Sequence, residues 1–349
     1  MKSKDILFLP VSGPRGASSR YRLFQFLPAI EAAGFSYNVH LPPANPGQGL
    51  GRIVTSWRDQ RTIRSLAAGA QLSFIQKRLL PEGLIDALAR SGRLAFDFDD
   101  AIFTSPTGDR SAHASRRVER RLKAVLAAAD LVLTGNRYLA EYSAPYARRV
   151  VVLPTVVDTD RYPARQHADR DTIVIGWIGH SVNHPYLAAM QPILQGLAAT
   201  RRFRLLIVSD RDLLLPGVEV ENRRWSEATE VADILDMDIG IMPMPDDPWS
   251  RGKCGLKALQ YMAAGVPVVC AAVGANVDIV RNGSDGFTAA SDAEWREGLG
   301  ELCASTDLRT AMGTSARARV LAQYSFHSAT PILLQQIGST IGSRLIRKS

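Results

Sequence analysis

Short runs of wholly apolar residues alternate along this chain with longer segments in which apolar residues recur every three or four positions. "DILFLPV" reads as a buried strand and "SSRYRLFQFLPAIEAAG" as a helix ending at Gly34. "RLAFDFDD", "ADLVLTG" and "RRVVVLP" continue the strand series. The pattern restarts near Thr172 with "TIVIGWIG", the helix "HPYLAAMQPILQGLAA" and the strands "FRLLIVSD", "DIGIMPM" and "VPVVCAA". Fully apolar strands separated by helices predict parallel sheets covered on both faces. The polar stretch "DTDRYPARQHADRD" separates the two series. Two doubly wound α/β domains are therefore expected, over 1–155 and 172–329, with a linker over 156–171. Ligands of such sheets bind beyond the carboxyl ends of the strands, so a cleft between the domains is the expected site. The tail "SATPILLQQIGSTIGSRLIRKS" predicts an amphipathic helix over 330–349, which either crosses back to the first domain or frays.

Composition supports this division. The 349 residues suit about two domains of roughly 150 residues each. With 46% hydrophobic residues the chain can bury large cores. The formal charge of +8 points to acidic partners: nucleotides, phosphorylated lipids, an anionic membrane or nucleic acid. Cys254, Cys270 and Cys303 match neither a zinc pattern nor a disulfide framework, which suits a reducing cytoplasm. The first residues read as a strand rather than a signal peptide. No apolar run reaches the roughly 18 residues of a spanning helix, so membrane contact is expected to be peripheral.

Several segments carry residues suited to chemistry. "VSGPRGASSRYR" follows the first strand and brings Gly13, Gly16, Ser19, Arg20 and Arg22 to a helix start. It is either an anion site facing an acceptor or an ordinary loop with solvated arginines. It lacks the G-x-G-x-x-G spacing. "FDFDDAIF" places Asp97, Asp99 and Asp100 at a strand end. Alternation sends Asp97 and Asp99 to one face and Asp100 to the other. At this strand end the aspartates can hydrogen-bond acceptor hydroxyls, take a proton or bind a metal, with Asp99 or Asp100 expected nearest the reaction, the alternative being helix capping and turn chemistry. Arg116, Arg117, Arg120, Arg121 and Lys123 share a helix, which presents either a solvated face or a surface for anionic lipid. No nucleic-acid recognition module accompanies these charges.

"GWIGHSVNHPYL" places Gly179, His180, Ser181 and Asn183 between a strand and a helix, a natural phosphate position. His180 and His184 lack the acid of a zinc motif, and no metal is expected. "RGKCGLKALQYMAAGVPVVC" is the most informative stretch. Leu256, Leu259, Met262 and Ala263 recur at helical spacing, and Gly265 suits a helix end. Arg251, Lys253 and Lys257 gather at the helix start, where cations oppose the helix dipole unless an anion binds between them. A diphosphate is the expected anion, against a reading as basic side chains in solvent.

"CGLKALQYMAAGVPVVCAAVGANVDIVRNGSDGFTA" closely resembles the donor-domain signature of retaining nucleotide-sugar glycosyltransferases of the GT-B fold, of the family-four or glycosyl transferase group 1 type. "VVLPTVVDTDRY" and "DLRTAMGTSARARVLAQYSF" resemble further segments of that family, in the same order. The resemblance implies two Rossmann-like domains facing across a cleft, with a C-terminal helix crossing back to the first. It implies transfer of a sugar, with retention, from a nucleoside diphosphate sugar, with UDP- or GDP-sugars expected, to a glycan, lipid-linked or small-molecule acceptor. It places the donor on Gly179, His180, Ser181 and Asn183, on Asn222 and Trp225, and on Arg251, Lys253, Cys254, Gly255, Leu256 and Gln260. Lys257 would stabilise the leaving diphosphate, and no metal or cofactor is implied. The chain departs from the family at its paired glutamates: Gln260 stands at the ribose-binding position and Gly252 at the other. Asp99 and Asp100 stand in place of the family's histidine. These departures leave open a noncatalytic nucleotide- or glycan-binding protein, or a sugar-nucleotide epimerase.

Overall fold

The computed structural model describes residues 4–44, 49–105 and 110–342. The chain divides into two compact units, Met1–Thr155 with Ala329–Ser349, and Val156–Ser328. Each carries a six-stranded sheet in which every described pairing is parallel.

The strands of the first sheet are β1 (Lys4–Pro10), β2 (Tyr37–Val39), β3 (Ala70–Gln76), β4 (Arg93–Phe98), β5 (Leu131–Thr134) and β6 (Val150–Val152), in the order β2-β1-β3-β4-β5-β6. The order reverses between β1 and β3, so the loops leaving these two strands diverge and open a crevice at their carboxyl ends. Ile6, Phe8, Phe74, Phe96 and Val132 are buried along the sheet.

The segment read as one helix up to Gly34 is broken. It forms a helix over Ala17–Arg22, a 3₁₀ turn over Phe24–Phe26 and a second helix over Leu27–Ala32. Pro28 is the reason: it has no N–H for the helical ladder, and its ring crowds the carbonyl four residues back. Gly34 then closes the turn at φ +88°. Pro192 breaks the expected long helix of the second unit in the same way, giving His184–Ala188 and Gln191–Ala198.

The second sheet contains β7 (Ile173–Ile178), β8 (Phe203–Ser209), β9 (Val220–Arg224), β10 (Ile239–Met242), β11 (Val268–Ala271) and β12 (Gly286–Ala289), in the order β12-β11-β10-β7-β8-β9. Its reversal lies between β7 and β10. Ile175, Trp177, Leu205, Ile207, Ile241 and Val269 build its core, each such side chain contributing about 1.5–3 kcal/mol on burial.

The stretch expected as a linker, 156–171, packs on the second unit. Val156 and Val157 are buried, Val157 bridges Ser325, and Arg165 pairs with Asp238 within that unit. His167 hydrogen-bonds the Gly265 carbonyl at 2.9 Å. Its polar residues thus have partners across the fold, which a reading of polarity along the chain does not reveal. The tail helix is Phe326–Gly342, and its residues from Ala329 onward belong to the first unit. Positions 343–349 of the expected tail helix lie outside the described residues.

Candidate active site

The carboxyl edge of the first sheet gathers an ionic cluster at the reversal point. β3 ends at Gln76, and the next residue, Lys77, takes the left-handed conformation at φ +57°, the sole non-glycine residue at positive φ among those described. A side chain is costly in this region, and such residues gather at functional sites. The turn carries the Lys77 ammonium to the end of β4, 3.2 Å from Asp99 and in direct contact with Asp100. Ser18 donates to the Asp99 carboxylate at 2.5 Å, and Gln76 Nε2 donates to Ser18 Oγ at 3.2 Å.

Burial works against the Lys77 ammonium, but the Asp99 and Asp100 carboxylates outweigh it and raise its pKa. Burial likewise disfavours the Asp99 carboxylate, and here Lys77, Arg22 and Ser18 prevail and lower its pKa. Asp99 is thus held as an anion at neutral pH, able to accept a hydrogen bond from a hydroxyl.

Strand alternation does not describe these three aspartates. β4 stops at Phe98, so Asp99 and Asp100 follow loop geometry and converge on Lys77. Asp97 remains on the strand, fully buried against Arg22, whose Nε lies 3.1 Å from its Oδ2. Arg22 Nη1 also donates to the Leu153 carbonyl at 2.5 Å. This overturns the reading of Arg22 as a cation facing an acceptor: it is 3% exposed and ties the first helix to the sheet.

Ser19 is also internal. It is fully buried, and its hydroxyl bridges Ser12 Oγ at 3.0 Å and Gln76 Oε1 at 2.9 Å. Ser18, one residue earlier, is the hydroxyl that reaches the ionic cluster. Gly13 and Gly16 form the turn after β1: the Gly16 N–H donates to the Gly13 carbonyl, and a Cβ on Gly16 would lie 2.0 Å from Ser12 Oγ. Arg20 lies over the Tyr21 ring, 4.6 Å from its centroid.

The carboxyl edge of the second sheet holds the other group of expected residues. Leu256–Ala263 forms the helix after the loop that leaves β10. Gly255 starts it at φ +66°, and a Cβ there would lie 2.2 Å from Ile279 Cδ1. No side chain caps this helix start. Tyr261 fastens the helix to the sheet. Its hydroxyl accepts from the Ile178 N–H at 3.0 Å and lies 3.3 Å from the Ile241 carbonyl, while its ring occupies the space a Cβ on Gly240 would need.

One turn earlier on the same face, Lys257 crosses the exit of β7. Its Nζ is 5.7 Å from the Trp177 ring centroid. A Cβ on Gly179 would stand 2.7 Å from its Cε. Gly179 is thus the residue whose missing side chain lets this cation lie across the loop. Arg251 and Lys253 flank the helix start, Arg251 held by Asp246 at 2.6 and 3.0 Å and Lys253 over Trp249 at 4.6 Å. Gly274, at φ +56°, lets this segment approach: a Cβ there would lie 2.7 Å from the Arg251 carbonyl oxygen. Cys254 is buried, with its Sγ 3.8 Å from the Gly252 carbonyl, and Leu256 is half-buried.

In the loop after β7, read as a phosphate position, several backbone N–H groups are engaged within the chain. Gly179 donates to Val208, Ser181 to Asp210, Val182 to His180 Nδ1 and Asn183 to the His180 carbonyl. Asp210, absent from the sequence-based set, acts as an internal anion at this loop. The Ser181 backbone N–H, followed by its hydroxyl, brings the Asp210 pKa down to about 2. His180 lies 3.5 Å from the same carboxylate, whereas His184 hydrogen-bonds Ser209 at 3.0 Å. Among the described residues, no group of three or more His, Cys, Asp or Glu is placed to hold a metal ion.

Three further expected donor residues make contacts within the chain. Asn222 clamps the preceding loop, accepting from the Leu213 N–H and donating to the Leu213 carbonyl, both at 3.0 Å. Gln260 is 4% exposed, and its Nε2 is 3.2 Å from Tyr162 Oη. Trp225 is 37% exposed, with its indole N–H donating to Glu230 at 3.0 Å. This fixes the ring while leaving part of it accessible.

On the helix Ala112–Ala128, Arg120 pairs with Glu82 and Lys123 with Glu119, so two of its five expected lipid-facing cations are engaged by acids of the chain. No helix among the described residues is long and apolar enough to cross a membrane.

Residues 172–305 match the family model described as "Glycosyl transferases group 1". Comparison with curated protein sequences finds no match. Among solved structures, sucrose-phosphate synthase from Thermosynechococcus elongatus is similar over 99% of this chain and 100% of its own, with 14% identity and a TM-score of 0.75. HepE of Anabaena, solved in complex with UDP and glucose, is 17% identical over 96% of this chain and 100% of its own, with a TM-score of 0.66. A glycosyltransferase from Rickettsia africae is 11% identical over 98% and 99% of the two chains, with a TM-score of 0.71. The chain therefore has the α/β fold of the GT-B glycosyltransferases, and its residues 172–305 are similar to the glycosyl transferases group 1 family.

Proposed function

We propose that this protein transfers a sugar from a nucleoside diphosphate sugar to a hydroxyl acceptor. The observation that carries this reading is the position of Lys257 across Gly179, at the reversal point of the sheet inside the matched domain. There a fixed cation and an uncapped helix start are available to stabilise charge on a departing diphosphate, the kind of preorganised electrostatics that dominates many enzymes. Lys253 and Arg251 add positive charge, and Trp225 offers a ring face to the nucleobase. The Gly179–Asn183 loop contributes shape and the side chains of His180 and Asn183, since its Gly179, Ser181, Val182 and Asn183 N–H groups are already donated within the chain. Any ribose contact by Gln260 would use the part of its amide not turned to Tyr162.

The acceptor, a glycan, a lipid-linked sugar or a small molecule, is assigned to the carboxyl edge of the first sheet. Asp99 orients the acceptor by taking a hydrogen bond from a neighbouring, non-reacting hydroxyl, while Lys77 and Ser18 hold the carboxylate. The sugar's bond to the diphosphate oxygen breaks and a bond to the acceptor oxygen forms on the same face. The acceptor proton passes to the departing phosphate, so the anomeric configuration is retained and no protein nucleophile is needed. The chain's own cations take the place a metal would have. HepE was solved with UDP-glucose, which supports testing UDP-sugars first.

A thermal-shift panel of UDP-, GDP-, ADP- and dTDP-sugars in the presence of EDTA tests the reading. One nucleotide class should raise Tm, and that donor should release its sugar to an acceptor or slowly to water. Absence of any nucleotide-dependent shift overturns it. Binding without turnover favours a noncatalytic protein on the same fold, and conversion of the donor sugar without an acceptor favours an epimerase.

A further inference from the structure

The helix Gly49–Ala67 carries apolar residues on two sides. Ile63 and Ala67 are buried against the first unit. Ile53 and Trp57 are 65% and 58% exposed, and Val54 is exposed beside them. At about 100° per residue, Ile53, Arg64, Trp57, Arg61, Val54 and Arg58 fall within one arc of about 140°. All six are exposed, and the Arg61 guanidinium lies 5.5 Å from the Trp57 ring centroid. The one acid of this helix, Asp59, is half-buried and engaged by His40 at 2.7 Å and by Arg78. The exposed arc is therefore apolar and cationic, with no carboxylate in it.

Asp59 also fixes where this arc lies. Its partners follow β2 and β3, so it sits at the carboxyl edge of the first sheet. Residues 53–57 project about 3–9 Å further along the helix, at roughly 1.5 Å per residue. Val11 and Leu41, on the loops leaving β1 and β2, are exposed at the same edge. Interfacial binding needs apolar groups to insert and cations to meet the headgroups. The basic helix Ala112–Ala128 presents the second without the first, since no exposed large hydrophobic side chain lies on it.

We propose that the Ile53–Val54–Trp57 face, with Arg58, Arg61 and Arg64, docks on an anionic lipid bilayer. Charge complementarity selects this occupant: Ile53 and Trp57 enter the headgroup boundary while the arginines meet lipid phosphates. Docking there sets the membrane beside the Lys77–Asp99 edge, which suits an acceptor delivered from lipid. The docking itself does not rest on the transfer reading, because binding is measured without donor or acceptor.

The test is co-sedimentation of the full chain with phosphatidylcholine vesicles, with or without roughly a third of phosphatidylglycerol. Binding is expected only to the anionic vesicles and to weaken at high salt. The double variant Ile53→Glu/Trp57→Glu, and separately Arg58→Glu/Arg61→Glu/Arg64→Glu, should each weaken binding by roughly tenfold or more, while Arg116→Glu/Arg117→Glu stays within about twofold. Circular dichroism and Tm should be unchanged, since every altered side chain is exposed. Wild type that fails to sediment with anionic vesicles at low salt overturns the proposal. So does loss confined to the Arg116/Arg117 variant, or undiminished binding by either Gly49–Ala67 variant. A concentration-dependent dimer that Trp57→Glu dissolves, in a protein that ignores vesicles, would instead assign the face to a second copy of the chain.

Discussion

Lys77, at the end of β3, places its ammonium 3.2 Å from the carboxylate of Asp99, which follows β4, and does so from a left-handed backbone conformation. Side-chain exposures of 15% and 13% leave the pair little water. Lys77→Ala would abandon two neighbouring carboxylates in that setting. Urea unfolding at pH 7 should show a loss of about 2–4 kcal/mol. The sign of the pH effect follows from Asp99. Its folded pKa is lowered, so its stabilising contribution is present above the ordinary carboxylate value and is lost as pH falls through the depressed one. Without Lys77, burial dominates Asp99, and acid unfolding should begin at higher pH. An unchanged acid limb in the variant would show that the pair is not coupled in solution.

Gly179→Ala separates packing from charge at the second edge. The added methyl would stand 2.7 Å from Lys257 Cε and 2.8 Å from the Trp177 ring, so Lys257 must leave its position. Calorimetric titration with a nucleoside diphosphate should show a roughly tenfold or greater loss of affinity, similar to Lys257→Ala, because both remove the same fixed cation. The double variant should be no worse than either single one. Additive losses would mean that Lys257 and Gly179 act on different parts of the ligand.

Tyr261→Phe addresses how that cation is positioned. The hydroxyl serves the Ile178 N–H and reaches the Ile241 carbonyl, both buried. Removing it should cost about 1–3 kcal/mol by leaving the Ile178 N–H without this acceptor. Because Tyr261 is one turn from Lys257, the donor KM should rise as well. Lost stability with an unchanged KM would confine Tyr261 to the core.

Asp210→Asn tests the loop after β7. The wild-type carboxylate, with its pKa at about 2, contributes stability that is present above the ordinary aspartate value. That contribution fades as pH falls from about 4 toward 2. The variant should be less stable at pH 7, and the difference from wild type should shrink across that acid interval. A difference that is flat with pH would show that the Ser181 contacts do not depend on the charge.

Much of the fold was legible because its signals are local. "TIVIGWIG" and "VPVVCAA" are apolar without interruption, and β7 and β11 lie inside them. Helical spacing and Gly265 marked Leu256–Ala263, and the unusual gathering of Arg251, Lys253 and Lys257 was visible as charge alone. The strands that escaped notice, β2, β3, β9 and β12, are short or polar. β3 is "AQLSFIQ", whose Ser73 and Gln76 look exposed in a pattern but are buried in the sheet. Missing β3 meant missing Lys77, because nothing in the sequence marks the residue that turns out of an unseen strand.

The sequence by itself determined the two α/β series and the cationic helix start, since apolar periodicity and charge order are written along the chain. Only the tertiary structure decided which charges meet. Asp97 and Asp99 are two residues apart, yet one is locked to Arg22 inside the unit and the other is held by Lys77 at the sheet edge. Ser19 looked like a ligand contact and is buried on Ser12 and Gln76, because a buried polar group must find a partner; Asn222 is held by Leu213, and one end of the Gln260 amide by Tyr162. Pairings across 75 and 98 residues are set by strand order and helix packing, which no local pattern encodes.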